Sequence, residues 1–171
     1  MFKEIMILAL ITAFPFAELR LSIPLGILGD KMDLPFLGTW TGFGLSWPVV
    51  FAVCVTSNIL VGIIVFFLLN KFVSLITKIK SVDRLYQFCV RRTQSKIKDA
   101  VDKYGWLGVA IFIGVPLPGT GVYAAALGSH LIGLSYKKFI IANVVGVLIA
   151  GILVTIITLT GKGLFAFIFG G

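Results

Sequence analysis

The sequence predicts an all-α integral membrane protein of two inverted units, each a re-entrant helical hairpin followed by a transmembrane helix, joined by a cytoplasmic amphipathic helical segment. Three observations carry that expectation. The chain is 58% hydrophobic and 13% charged with a mean hydropathy of +1.07, whereas soluble domains run near half apolar and a quarter charged. Two charge-free runs are long enough to cross a bilayer, and two further hydrophobic blocks are broken at mid-length by prolines. The 171 residues make one membrane domain, 1–171, because no stretch has the mixed composition of an appended soluble domain.

Residues 5–29 are the first block. Ile5 to Phe14 gives only about 15 Å of helix, half a bilayer, before Pro15, Glu18, Arg20 and Pro24 intervene and a second short arm ends at Gly29. This reads as a re-entrant hairpin with its apex near the midplane, the alternative being a single proline-kinked helix. Lys3 before an apolar run superficially resembles a signal peptide, but no small-residue cleavage site follows.

Residues 48–70 are the first span: Pro48 suits a first helical position, and the run to Asn70 reaches about 35 Å. Residues 71–104 then hold nine lysines and arginines against Asp83, Asp99 and Asp102. Phe72, Leu75, Ile76, Ile79, Val82 and Tyr86 recur at helical spacing with the charges mostly elsewhere, so an amphipathic helix on the inner leaflet is expected, broken near Thr93 to Ser95. Its charge would draw anionic headgroups at about 1 kcal/mol per basic residue, or serve only to anchor the topology.

Residues 105–133 repeat the plan of the first block, with Gly105 to Val115 as one arm, Pro116-Leu117-Pro118-Gly119-Thr120-Gly121 as the breaker and Val122 to Gly133 as the second arm. Residues 139–161, bounded by Lys137, Lys138 and Lys162, are the second span. A unit with one crossing is odd, so its second copy must be inverted. Eleven of the fifteen basic residues lie in 71–103 or at Lys137 and Lys138, which makes those segments cytoplasmic by the positive-inside rule. The spans then run outside to inside and inside to outside, and both termini are expected outside. Trp40, Trp47 and Trp106 fall where interfacial aromatic belts belong.

A formal charge of +8 fits a bilayer surface in this context, and no nucleic acid is expected as a partner. Cys54 lies in an apolar span and Cys89 in a basic stretch, so no disulfide is expected between them. With His130 as the single histidine, no metal set of His and Cys can form, no cofactor is implied, and an enzyme lacks its acid-base partners.

Glu18 and Arg20 carry the most chemistry, because opposite charges between apolar arms are costly unless they line a wet cavity or find partners. Glu18 can carry a proton and Arg20 can hold a phosphate through its planar fork; alternatively the two only pin the hairpin tip. In the second hairpin Thr120 can cap the arm beginning at Gly121 or Val122, whose first-turn N–H groups would form an anion site, unless the glycines serve only close packing. Asn58, Ser57, Thr56, His130 and Asn143 are expected mainly to bond helix to helix.

Phe16-Ala17-Glu18-Leu19-Arg20-Leu21-Ser22-Ile23-Pro24, with Phe112 and Val115-Pro116-Leu117-Pro118-Gly119-Thr120-Gly121 later, resembles the small multidrug export protein family, which is itself similar to the DedA superfamily. The resemblance covers most of the chain and implies two opposed re-entrant hairpins and transport, DedA relatives being associated with polyprenyl phosphate or phospholipid movement and with proton-dependent drug resistance. It assigns Glu18 and Pro24 to the first hairpin motif and Pro116 to the second. The chain departs from DedA in having Gly114 and Gly121, not arginines, around the second apex.

The expected function is therefore transport in a prokaryotic cytoplasmic membrane. Glu18, Arg20, Pro24, Pro116, Pro118, Gly119, Thr120 and Gly121 would form a midplane substrate and proton site, moving an anionic lipid phosphate such as polyprenyl phosphate between leaflets. The alternatives are proton-coupled export of amphipathic cationic drugs and a non-transporting membrane scaffold. The small core leads to the expectation of a homo-oligomer, a dimer.

Overall fold

The computed structural model describes residues 2–15, 17–29, 31–34, 38–76, 105–116 and 121–161. Residues 77–104, most of the expected amphipathic segment, and 117–120, which include Pro118, Gly119 and Thr120, lie outside the described residues. The elements in order are α1 Phe2–Thr12, α2 Glu18–Ile27, β1 Lys31–Leu34, β2 Gly38–Thr41, α3 Trp47–Ile76, α4 Gly105–Gly114, α5 Val122–Ile132 and α6 Tyr136–Thr160.

The helical class holds, and so do the two breaks. The first block is two helices folded back on each other and not one kinked rod: a Cβ at Gly26 of α2 would lie 3.2 Å from Leu8 Cδ1 of α1, eighteen residues earlier in the chain. Pro15 opens the turn, and Glu18 N–H donates to the Phe14 carbonyl at 3.1 Å as α2 begins.

The all-α expectation needs one correction, a β-hairpin between α2 and α3. Lys31 pairs with Thr41, Met32 with Trp40, Asp33 with Thr39 and Leu34 with Gly38, antiparallel. Apolar Met32, Leu34 and Trp40 alternate with Lys31, Asp33, Thr39 and Thr41, the period-two pattern of a strand. Beyond it the chain folds onto the end of α2. Phe43 N–H donates to the Leu25 carbonyl at 2.9 Å, Leu45 N–H to Gly26 at 2.8 Å and Gly44 N–H to Leu28 at 3.3 Å, satisfying carbonyls that a helix end otherwise leaves open. Only glycine fits at 42, where a Cβ would lie 1.7 Å from the Leu28 carbonyl oxygen.

Two helices, over Trp47–Lys71 and Tyr136–Thr160, have the length and hydropathy to cross a bilayer. Each leaves large apolar side chains exposed, among them Leu60, Ile64 and Phe67 on α3 and Ile141, Ile152 and Ile156 on α6, as lipid-facing surface requires. α3 does not stop at its first charge but continues through Lys71 to Ile76.

The chain divides into two compact units, Met1–Asn58 with Leu148–Gly171, and Ile59–Val147. Each thus contains one pair of short helices, one half of α3 and one half of α6. In the first unit α3 and α6 approach closely at Gly151, where a Cβ would meet Val55 Cγ2 at 2.7 Å. In the second, Phe66 of α3 stacks on Phe139 of α6 with ring centroids 4.1 Å apart. Gly146 of α6 lies against α4, its Cβ position 2.7 Å from the Ala110 carbonyl oxygen.

Candidate functional site

Glu18 opens α2 with φ of 39°, the one non-glycine residue with positive φ among those described. A left-handed backbone is costly for a carboxylate-bearing residue and persists where surrounding packing over-determines it. The side chain is buried, the residue 7% exposed. Arg20 is half-buried, and Glu18 acts on it electrostatically. Pro24 is buried inside α2. Having no N–H, it cannot donate to the Arg20 carbonyl one turn earlier.

Beneath this turn is a polar cluster. Ser22 Oγ donates to the Glu18 carbonyl at 2.6 Å, and Thr12 Oγ1 of α1 donates to the Leu8 carbonyl at 2.7 Å. Both hydroxyls also hydrogen-bond to Cys54 of α3. With each hydroxyl proton committed to a backbone carbonyl, the single thiol proton is shared between the two hydroxyl oxygens. All three residues are fully buried.

The register of the helices extends the cluster. Gly26 of α2 faces Val50 of α3; one turn back along α2 and one turn on along α3, Ser22 meets Cys54. Asn58 lies one further turn along α3. Asn58 is 1% exposed, and its Oδ1 has no hydrogen-bond partner among the described residues. A buried acceptor left without a donor is unfavourable, so Asn58 Oδ1 is suited to receive an N–H or O–H donor.

The second motif belongs to the other unit. Pro116 follows the end of α4, after Val115 N–H has closed onto the Ile111 carbonyl at 3.0 Å. Gly121 occupies the N-cap position of α5 in an extended conformation, with no side-chain cap bond; the cap expected from Thr120 lies outside the described residues. Two of the polar residues expected to bond helix to helix do so in this unit: Asn143 Nδ2 donates to the Ile59 carbonyl at 3.0 Å, and His130 Nδ1 lies 2.8 Å from Asn70 Oδ1.

The structure therefore gathers Glu18 and Arg20 at the first turn of α2, Pro24 further along it, and Pro116 and Gly121 in the second unit. Thr12, Ser22 and Cys54 were not singled out from sequence, and Asn58 was placed only with packing residues. Their signal was available in part: Cys54 and Asn58 stand one turn apart within the long apolar run of α3. Among the described residues no group of His, Cys, Asp or Glu could hold a metal ion.

No curated protein and no solved structure matches the chain. The family described as "Putative small multi-drug export protein" matches residues 18–153, a range that opens on Glu18 and takes in both proline motifs. With well over half of the chain matched and two apolar helices long enough to span a bilayer, this is a membrane protein belonging to the small multidrug export protein family.

Proposed function

We propose that the protein is a transporter of the prokaryotic cytoplasmic membrane that moves an anionic lipid phosphate, such as a polyprenyl phosphate, between leaflets, with Glu18 as the group that takes up and releases a proton. The observation that carries this reading is the buried Glu18 beside a half-buried Arg20 at the first turn of α2. A guanidinium binds phosphate through a fork of N–H donors, and releasing it requires a charge change nearby. Protonation of Glu18 removes a competing negative charge and frees Arg20 for the phosphate; deprotonation restores the internal pair and expels it. A lipid substrate also suits a chain of 171 residues, because the tail remains in the bilayer and the protein need enclose only the headgroup. In this reading both broken blocks are re-entrant, with their turns near the midplane.

A second reading, export of an amphipathic cation in exchange for protons, is favoured by one specific feature. Glu18 and the unpartnered Oδ1 of Asn58 are both buried acceptors in the first unit. That combination suits an ammonium or amidine as well as a proton.

Proteoliposomes separate the two. Leaflet-to-leaflet movement of a fluorescent short-chain polyprenyl phosphate, driven by a pH gradient and lost in both Glu18→Gln and Arg20→Ala, is the outcome expected of the lipid reading. Cation efflux that needs Glu18 but survives Arg20→Ala would replace it with the second. Neither activity from folded, inserted protein would discard both.

A further inference from the structure

The second unit contains a cleft that takes no part in the Glu18 chemistry. It has a volume of about 600 Å³ and is lined by Phe66, Phe67, Asn70 and Lys71 of α3, by Leu134, and by Tyr136 of α6. Its depth in the bilayer follows from the helices themselves. The apolar span of α3 ends at Lys71 and that of α6 begins at Tyr136, so the cleft stands where both spans leave the hydrocarbon and headgroups begin.

The apolar wall is fixed in place. Phe66 stacks on Phe139 with ring centroids 4.1 Å apart and an interplanar angle of 13°, and it meets Tyr136 at 5.7 Å in a tilted contact. The polar end is oriented too. Asn70 Nδ2 donates to the Phe66 carbonyl at 2.8 Å, and Oδ1 lies 2.8 Å from His130 Nδ1. Because Oδ1 can only accept, the histidine nitrogen is the donor, and the amide is held from both ends. An amide nitrogen has two hydrogens, so Asn70 retains one beyond the bond to Phe66. Lys71, the next residue of α3, also lines the cleft.

A rigid aromatic wall, an oriented amide donor and a cation at headgroup depth are complementary to one kind of molecule, an amphiphile with a negatively charged head. The neighbouring charge has the same sign: Lys137 and Lys138 follow Tyr136 in the chain. We propose that this cleft seats an anionic glycerophospholipid, its phosphate against Lys71 and Asn70 and an acyl chain along Phe66, Phe67 and Leu134. The seat is independent of the transport reading, since Glu18 and Arg20 belong to the other unit.

The test is native mass spectrometry of the full chain in detergent, with dioleoyl phosphatidylglycerol and dioleoyl phosphatidylcholine added at equal concentration. The native protein should retain the anionic lipid in preference by about fivefold, the value of one basic charge at a membrane surface. The preference should disappear in Lys71→Gln and in Asn70→Asp, which keeps the shape of the amide and adds a negative charge, and should persist in Lys3→Gln, which changes a lysine of the first unit. Equal retention of the two lipids by the native protein, or a preference unchanged in Lys71→Gln and Asn70→Asp, overturns the proposal. Displacement of the bound lipid by millimolar inorganic phosphate assigns the polar end to a free phosphate and overturns it as well.

Discussion

The helix pair and α3 half of the first unit bury Thr12, Glu18, Ser22, Cys54 and Asn58, whereas the second unit, among its described residues, buries Ser129 and Asn143 as its polar side chains. Both units contain two short helices and halves of the same two long ones. They differ in that the first encloses a carboxylate on a strained backbone, while the second, among its described residues, encloses neutral polar groups. Each leaves a buried amide oxygen without a partner among the described residues, Asn58 Oδ1 in the first and Asn143 Oδ1 in the second, where Asn143 Nδ2 is tied to the Ile59 carbonyl. The contrast separates two uses of polarity inside a membrane protein. Neutral side chains that find a carbonyl on a neighbouring helix contribute to cohesion; a buried carboxylate is too costly to serve cohesion alone.

The strongest way to break this comparison is Glu18→Gln. Transport by the reconstituted protein should fall to the level of empty liposomes, while circular dichroism and the detergent elution profile remain native, because the amide preserves shape and removes only the ionisable proton. A variant that transports normally would place the chemistry elsewhere.

Stability should respond most in the second unit to Gly62→Val. A Cβ at residue 62 would lie 2.5 Å from Asn143 Oδ1, and crowding of that kind costs roughly 1–3 kcal/mol, read as a lowered thermal midpoint in detergent.

The paired variants Asn143→Leu and Asn58→Leu sharpen the contrast further. Loss of the Asn143 bond to Ile59 should cost roughly 0.6–1.7 kcal/mol with transport little changed. Asn58→Leu removes an acceptor with no partner, so unfolding should be nearly unaffected while transport declines. Equal losses of stability in the two variants would make Asn58 an ordinary packing amide.

The smallest effect is expected of His130→Ala, which deletes the contact with Asn70. A destabilisation of about 0.5–1.5 kcal/mol should appear in thermal melts, with Glu18-dependent transport intact.

The helices and their interruptions were legible because their causes are local. Charges such as Lys71 and Lys137 bound the apolar runs, Pro15 ends the first arm, and Pro116 follows the end of α4. The β-hairpin escaped because its alternation occupies two strands of four residues each, too short to stand out beside long apolar runs. Glu18 and Arg20 were found by the rarity of charge in such surroundings. The Thr12, Ser22 and Cys54 trio was not, since it exists only once α1, α2 and α3 take a common register, and no spacing within one segment encodes that. Helix past Lys71 was expected from the spacing of Phe72, Leu75 and Ile76, but as a separate amphipathic segment and not as an unbroken continuation of α3.

The bonds from Phe43, Gly44 and Leu45 to the end of α2 have a mechanical meaning. They fasten the far end of that helix, main chain to main chain, to the segment that leads directly into α3, and Gly42 lets the two strands of backbone approach without a side chain between them. α2 is consequently a lever clamped at its C-terminus. Any displacement large enough to carry Glu18 from one environment to another must pivot about that clamp, and Pro24, which interrupts the helical bonding between the clamp and Glu18, is where such a lever bends.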